Sequence, residues 1–168
     1  MLPHAEIIPM PARAAEEQDI EPLAQLWWSG WQDAHAAILP EDLKRLRTLE
    51  SFAERLRAAL PDLRVIGPPG APLAFHLIKD DELYQFYVST EARGTGVATA
   101  LMADAEAALA AKGVETAWLA CAIGNARAAR FYEKSGWRMA RVENVPTQTS
   151  AGLFPLEVWR YEKRVAPP

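Results

Sequence analysis

Hydrophobic and polar positions follow two rhythms along this chain, one of helical period and one of strand period. From Asp19 to Ile38 the residues Leu23, Leu26, Trp27, Trp31, Ala34 and Ile38 fall on one stripe at helical spacing. That predicts an amphipathic first helix, ended or kinked by Pro40. A second helical portion runs from Glu41 to Arg47, and Thr48 is placed to N-cap another from Leu49 to Leu60, with Phe52, Leu56 and Ala59 inward. Arg47, Arg55 and Arg57 are expected to face water. Leu63 to Ile66 and Leu73 to Ile78, separated by the turn Gly67 to Pro72, read as a hairpin. Asp80 and Asp81 then turn the chain into an aromatic and β-branched strand from Leu83 to Val88. Val97 to Lys112 is rich in strong helix formers, and Thr116 to Ala122 reads as a strand. After Trp137 the pattern predicts a strand around Met139 to Val142, a polar loop from Glu143 to Gly152 and a last strand from Leu156 to Tyr161. Ile7 to Arg13 is a candidate first strand, confined to an edge or left irregular by Pro9 and Pro11.

The richest chemistry lies where Leu83–Val88 gives way to the helix beginning at Val97. Arg93-Gly94-Thr95-Gly96-Val97-Ala98 occupies that strand-to-helix turn. Free N–H groups and the positive end of the helix dipole make such a turn an anion cradle. Glycine there lets backbone approach an oxygen closely. A P-loop would need Lys and Ser or Thr after its second glycine, and Val97-Ala98 stands there instead. A dinucleotide fingerprint would need a third glycine where Thr99 stands, and more than half the chain precedes the turn.

The segment resembles the Arg/Gln-x-x-Gly-x-Gly/Ala signature of the GNAT superfamily of acyl-CoA-dependent N-acetyltransferases, matched by Arg93, Gly96 and Ala98. A second stretch, Asn125 to Trp137, is similar to the later helix and turn of that superfamily, with Asn125 as a helix cap and Gly136 as a C-terminal cap. The resemblance covers residues 75 to 140 and implies a single domain over residues 1–168. Its expected fold is mixed α/β, of the α+β type. A mostly antiparallel, splayed sheet of about six or seven strands would carry helices on both faces.

The same resemblance implies transfer of an acetyl group from acetyl-CoA to a primary amine by direct attack. Backbone groups of Arg93, Gly94, Thr95, Gly96, Val97 and Ala98 would hold the diphosphate of coenzyme A. Phe86 and Val88 are candidate backbone donors to the pantetheine arm and thioester oxygen, and Asn125 is a candidate pantetheine contact. Tyr132 would lie near the sulfur and protonate the departing thiolate. For the base that deprotonates the amine, Glu82, His76, His35 and a water relay all stay open. Trp28 and His35 lie on one flank of the first helix, two turns apart, and with Trp31 and His76 are candidate acceptor contacts. An aromatic wall with acids nearby suits an aromatic amine, an amino acid or a peptide N-terminus. A non-catalytic acyl-CoA sensor and a nucleotide-binding regulatory domain are the competing classes.

Composition narrows the setting. At 168 residues the chain fits one domain with a real core, 50% of it hydrophobic and 24% charged. A net charge of −4 supplies no basic face for nucleic acid. Cys121 is the sole cysteine and sits in an apolar strand, so it reads as a small buried hydrophobe. Three histidines and one cysteine without ligand spacing disfavour a metal. Neither a signal segment nor a membrane span is indicated, so a cytoplasmic setting is expected. A homodimer is a state the sequence allows.

Overall fold

The helical stripe in the first third of the chain folds as α1 (Ile20–His35), which buries Ile20, Leu23, Ala24, Trp27 and Trp31. Asp19 belongs to the preceding single turn rather than to the helix, and Ile38 beyond its end is exposed. Next along the chain come α2 (Glu41–Leu46) and α3 (Leu49–Ala59), and the Thr48 side chain accepts from the Ser51 N–H as an N-cap should. The computed structural model describes residues 10–35 and 37–167. The candidate strand from Ile7 therefore lies partly outside the described residues, and within them the sheet starts at a short β1 (Arg13–Ala14).

The remaining elements are β2 (Leu63–Ile66), β3 (Ala74–Lys79), β4 (Glu82–Val88), α4 (Val97–Ala111), β5 (Thr116–Ala122), α5 (Ala126–Lys134), β6 (Arg138–Thr149) and β7 (Gly152–Arg164). They form one seven-stranded sheet in the order β1-β2-β3-β4-β5-β7-β6. Every neighbouring pair is antiparallel except β4 and β5. α1 and α3 pack on one face, where Trp27, Phe52 and Phe75 meet, while α4 and α5 cover the other against Leu83, Leu119 and Cys121. The mixed, mostly antiparallel sheet with helices on both faces is the expected one.

Two irregularities shape the centre. Leu77 pairs with Gln85 but Ile78 pairs with Leu83, so Tyr84 is an extra residue, a β-bulge in β4. The parallel pair β4–β5 is joined only at the register Glu82–Trp118, and the strands part beyond it.

The segment 143–152 departs from expectation. It is not a polar loop but the body of a long hairpin, with β6 paired to β7 as far as Thr149 and Gly152. Its polar composition suits an edge strand, because ladder hydrogen bonds come from backbone and need no apolar side chain. Pro146 lies on the edge strand, and Pro155 lies beyond the β5–β7 pairing, which ends at Val158. The arginines depart too: Arg57 is exposed, but Arg47 is buried and Arg55 lies partly buried over Trp27.

Asp19, fully buried, ties the first part of the chain to the β2–β3 turn. It accepts two hydrogen bonds from Arg13, at 2.8 and 3.0 Å, one from the Glu16 N–H at 2.8 Å and one from the Gly70 N–H at 2.9 Å. Burial alone would raise its pKa, but these donors and the guanidinium charge outweigh it and hold the carboxyl below its ordinary value. Asp19→Asn is expected to cost about 3 kcal/mol of stability. Because the folded pKa is the depressed one, that contribution is present above the unfolded value of 3.8 and is lost as pH falls through the folded value. Urea denaturation of the two proteins should show the gap at pH 7 and its narrowing on acidification.

Candidate active site

The site is built where β4 and β5 part. At the C-terminal end of β4 the chain makes a turn through Arg93 to Gly96 and enters α4. Gly94 and Gly96 have φ of 76° and 88°, a region that costs any residue with a Cβ. A Cβ placed on either would meet nothing within 4 Å, so the space over the turn is open. No side chain caps α4, which leaves its first N–H groups facing that space. A cavity of about 460 Å³ runs from this turn along the opening between the strands. Phe86, Tyr87, Val88, Arg93, Gly94, Ala98, Asn125 and Tyr132 line it. Val97 instead packs inward and anchors the helix, and Thr95 turns its hydroxyl to the Ala92 carbonyl. Asp33 of α1 reaches across the mouth, 3.4 Å from Arg93 and 3.6 Å from Arg127.

Aromatic rings floor the cavity. Phe86 stacks on Phe131 at 5.5 Å, and Tyr132 meets Phe86 edge-on at 6.5 Å. Burial raises the Tyr132 phenol well above its ordinary value, so it stays protonated and neutral. Asn125 caps α5, its side-chain oxygen accepting from the Ala128 N–H at 3.3 Å. A narrow passage of about 90 Å³ continues past Tyr132, lined by Gln85, Ala120, Cys121 and His35 among others. Burial pushes the Cys121 thiol up to about 12, which keeps it protonated and inert.

The passage shares His35, Tyr84, Gln85, Tyr87, Ala120 and Ala122 with a further cavity of about 140 Å³. Trp31, Arg47, Arg55 and Glu82 line this one, together with Val145, Pro146 and Thr147 of β6 and Leu156 and Val158 of β7. The hairpin arm thus forms one wall. Burial raises Glu82 to about 7, with Asp81 and Asp80 adding to the shift and Lys79 and Arg160 opposing it. Burial lowers His35 to about 4, and its Nδ1 has no hydrogen-bond partner among the described residues.

Of the residues singled out in the sequence, the cavities bring together Phe86, Val88, Arg93, Gly94, Ala98, Asn125, Tyr132, Glu82, Trp31 and His35. They leave out Thr95, Gly96 and Val97 of the turn, Trp28, which packs on the core, and His76. His76 is fully buried, 2.7 Å from Asp104 of α4, and Asp104 also holds Arg64 at 3.0 Å. Its ring is taken up by the contact between β3 and α4, and it lines none of the three cavities. Arg47, Arg55, Tyr84 and Asp33 join the site without belonging to any sequence motif. Arg55 stands one turn from Phe52 on the edge of the apolar stripe, a detectable sign, whereas Arg47 at a helix end carries none.

The half-unzipped sheet thus forms a cleft with a glycine turn at one end and a separate cavity at the other. Residues 71–137 match the model of the acetyltransferase (GNAT) family. That segment runs from β3 to the turn after α5 and carries the glycine turn and the parted strands, so the part of the chain that builds the site is similar to the GNAT acetyltransferases. A GCN5-related N-acetyltransferase from Rhodopseudomonas palustris superposes with a TM-score of 0.70 at 20% identity, covering 92% of this chain and 96% of that one. The PaiA N-acetyltransferase from Thermoplasma acidophilum, solved in complex with coenzyme A, gives 0.63 at 19% identity, covering 91% and 97%. The ribosomal-protein-S18-alanine N-acetyltransferase from Escherichia coli gives 0.59 at 21% identity, covering 94% of each. No curated protein sequence matches the chain. Among the described residues no helix is long and apolar enough to cross a membrane, and no group of three or more acids, histidines and cysteine could hold a metal.

Proposed function

We propose that this protein moves an acetyl group from acetyl-CoA to a primary amine by direct attack, with both substrates bound together. The observation that carries this reading is the passage between β4 and β5, whose walls are shared with a cavity on either side. The larger cavity fits coenzyme A: its turn is open, glycine-shaped and fronted by unpaired N–H groups, which suits a diphosphate. Acetyl-CoA supplies a thioester already activated toward an amine.

In this reading the protein's own groups divide the work. Backbone N–H groups of Phe86 and Val88, released where β4 has no partner strand, are the donors toward the pantetheine arm and the thioester oxygen. Glu82 takes the proton from the incoming ammonium, directly or through water. A carboxyl near 7 is half ionised at neutral pH and still basic enough to hold a proton, whereas His35 near 4 holds one poorly. His76 is committed to Asp104. Tyr132 delivers a proton to the departing sulfur as the bond breaks, since a phenol held so high does not ionise beforehand.

Each assignment has its own measurement. Ala98→Glu puts a carboxylate against the diphosphate, yet an acid in the first turn of a helix suits the dipole. Titration calorimetry should show acetyl-CoA affinity down at least about tenfold with Tm retained; unchanged affinity would place the coenzyme elsewhere. Tyr132→Phe should lower kcat on the order of 10²-fold while sparing acetyl-CoA affinity. An unaltered kcat returns Tyr132 to packing. For Glu82, log kcat/KM should rise with pH and bend near 7, since the base works only when ionised. Glu82→Gln should remove that bend and lower the rate on the order of 10²-fold or more; a bend that survives assigns the proton transfer to another group. Acetyl-CoA that binds but yields no thiol with any amine would identify a sensor instead of an enzyme.

A further inference from the structure

The smaller cavity carries positive charge that no carboxylate among the described residues pairs with. Arg47 is only 5% exposed, and its guanidinium donates to the Gln148 carbonyl at 2.9 Å. Arg55 faces the same cavity from α3, its guanidinium 4.4 Å above the Trp27 ring and donating to the Tyr84 hydroxyl at 3.3 Å. Among the described residues neither arginine forms an ion pair, although eight other arginines do. Burial, then repulsion from Arg55, lowers Arg47 to about 10, so it stays charged at neutral pH. Glu82 does not answer them: the charges acting on it belong to Lys79, Asp81, Arg160 and Asp80. A buried cation without a counter-ion is costly, and a neutral aromatic or methionine would fill the volume at less cost. What the pair offers in return is a fork of N–H donors that matches a planar carboxylate.

We propose that the acceptor amine is itself a small amino acid, whose carboxylate is held by Arg47 and Arg55 while its amino group lies toward Glu82 and the passage. This deepens the acetyl-transfer reading and rests on it for the fate of the amine; the carboxylate site stands on the arginines alone. About 140 Å³ admits a small molecule or a single terminal residue. A peptide N-terminus would set a neutral amide against the two guanidiniums and leave them unanswered, and a simple aromatic amine would do the same.

The test is thermal denaturation and equilibrium binding of the coenzyme A complex against the proteinogenic amino acids, short ω-amino acids and the carboxamide of each, with thiol release from acetyl-CoA measured in parallel. At least one free acid is expected to raise Tm and to bind about tenfold or more tighter than its amide. That preference should vanish in Arg55→Gln and in Arg47→Gln; if Arg47→Gln fails to fold, Arg55→Gln decides. If no acid outbinds its amide, or the preference survives in a folded Arg55→Gln, the proposal is overturned. Acid-selective binding without thiol release would keep the carboxylate site and remove acetyl transfer. Thiol release that is indifferent to the carboxylate would do the reverse.

Discussion

The incomplete pairing of β4 with β5 is the constraint on which the rest of the molecule depends. Parallel neighbours in a sheet ordinarily satisfy each other's backbone groups along their length. Here the ladder stops at Glu82–Trp118, and the far halves of both strands are left to border a cleft. The closed end is secured by side chains as well as backbone: the Trp118 indole donates to Asp81 at 3.0 Å, and Arg160 lies 4.3 Å above the Trp118 ring. The open end is held by what packs on it. Tyr87 stacks on Phe75 at 5.9 Å and lies so close to α1 that a Cβ on Gly30 would come within 2.9 Å of its ring. The splay is therefore clamped at one end and wedged at the other, and the bulge at Tyr84 sets which β4 side chains face each helical layer.

That geometry governs electrostatics through burial. The strands that fail to pair create an interior surface, and titratable groups placed on it lose hydration. Glu82 moves up, His35 moves down and Tyr132 moves up, each toward its neutral form. Of the three, only Glu82 ends near neutral pH, because a carboxylate starts low and moves toward it while an imidazole starts there and moves away. One desolvating surface can thus sort an acid from a base without any specific ion pair.

Features that depend on neighbours in sequence are legible there, and features that depend on distant partners are not. The α1 stripe, the Thr48 and Asn125 caps, the β2–β3 hairpin and the turn from Arg93 into α4 are all local rules of spacing and conformation, and they reappear in the fold. The β6–β7 arm reads as loop because its ordering comes from cross-strand backbone bonds that composition does not report. Arg47 reads as solvated because nothing near Thr48 reveals that Gln148, a hundred residues on, covers it. His76 draws attention as a lone histidine in a strand, but its partner Asp104 lies on a helix that only the tertiary fold brings opposite. The bulge at Tyr84 is likewise a property of the pair β3–β4 rather than of either strand alone.

The two cavities differ in what builds them, and the difference bears on how function varies within such a fold. The larger one is fronted by backbone: glycines in a left-handed conformation and a helix N-terminus, which many sequences can supply. The smaller one is made of side chains gathered from α1, α2, α3, β4, β5 and the arm, so almost any substitution there alters its shape or charge. Structures near 20% identity superpose over nine-tenths of the chain because strand order and helix packing tolerate such divergence. A pocket assembled from scattered side chains has no such latitude, so likeness in fold alone does not say what the smaller cavity takes, and that has to be read from residues such as Arg47, Arg55 and Glu82 themselves.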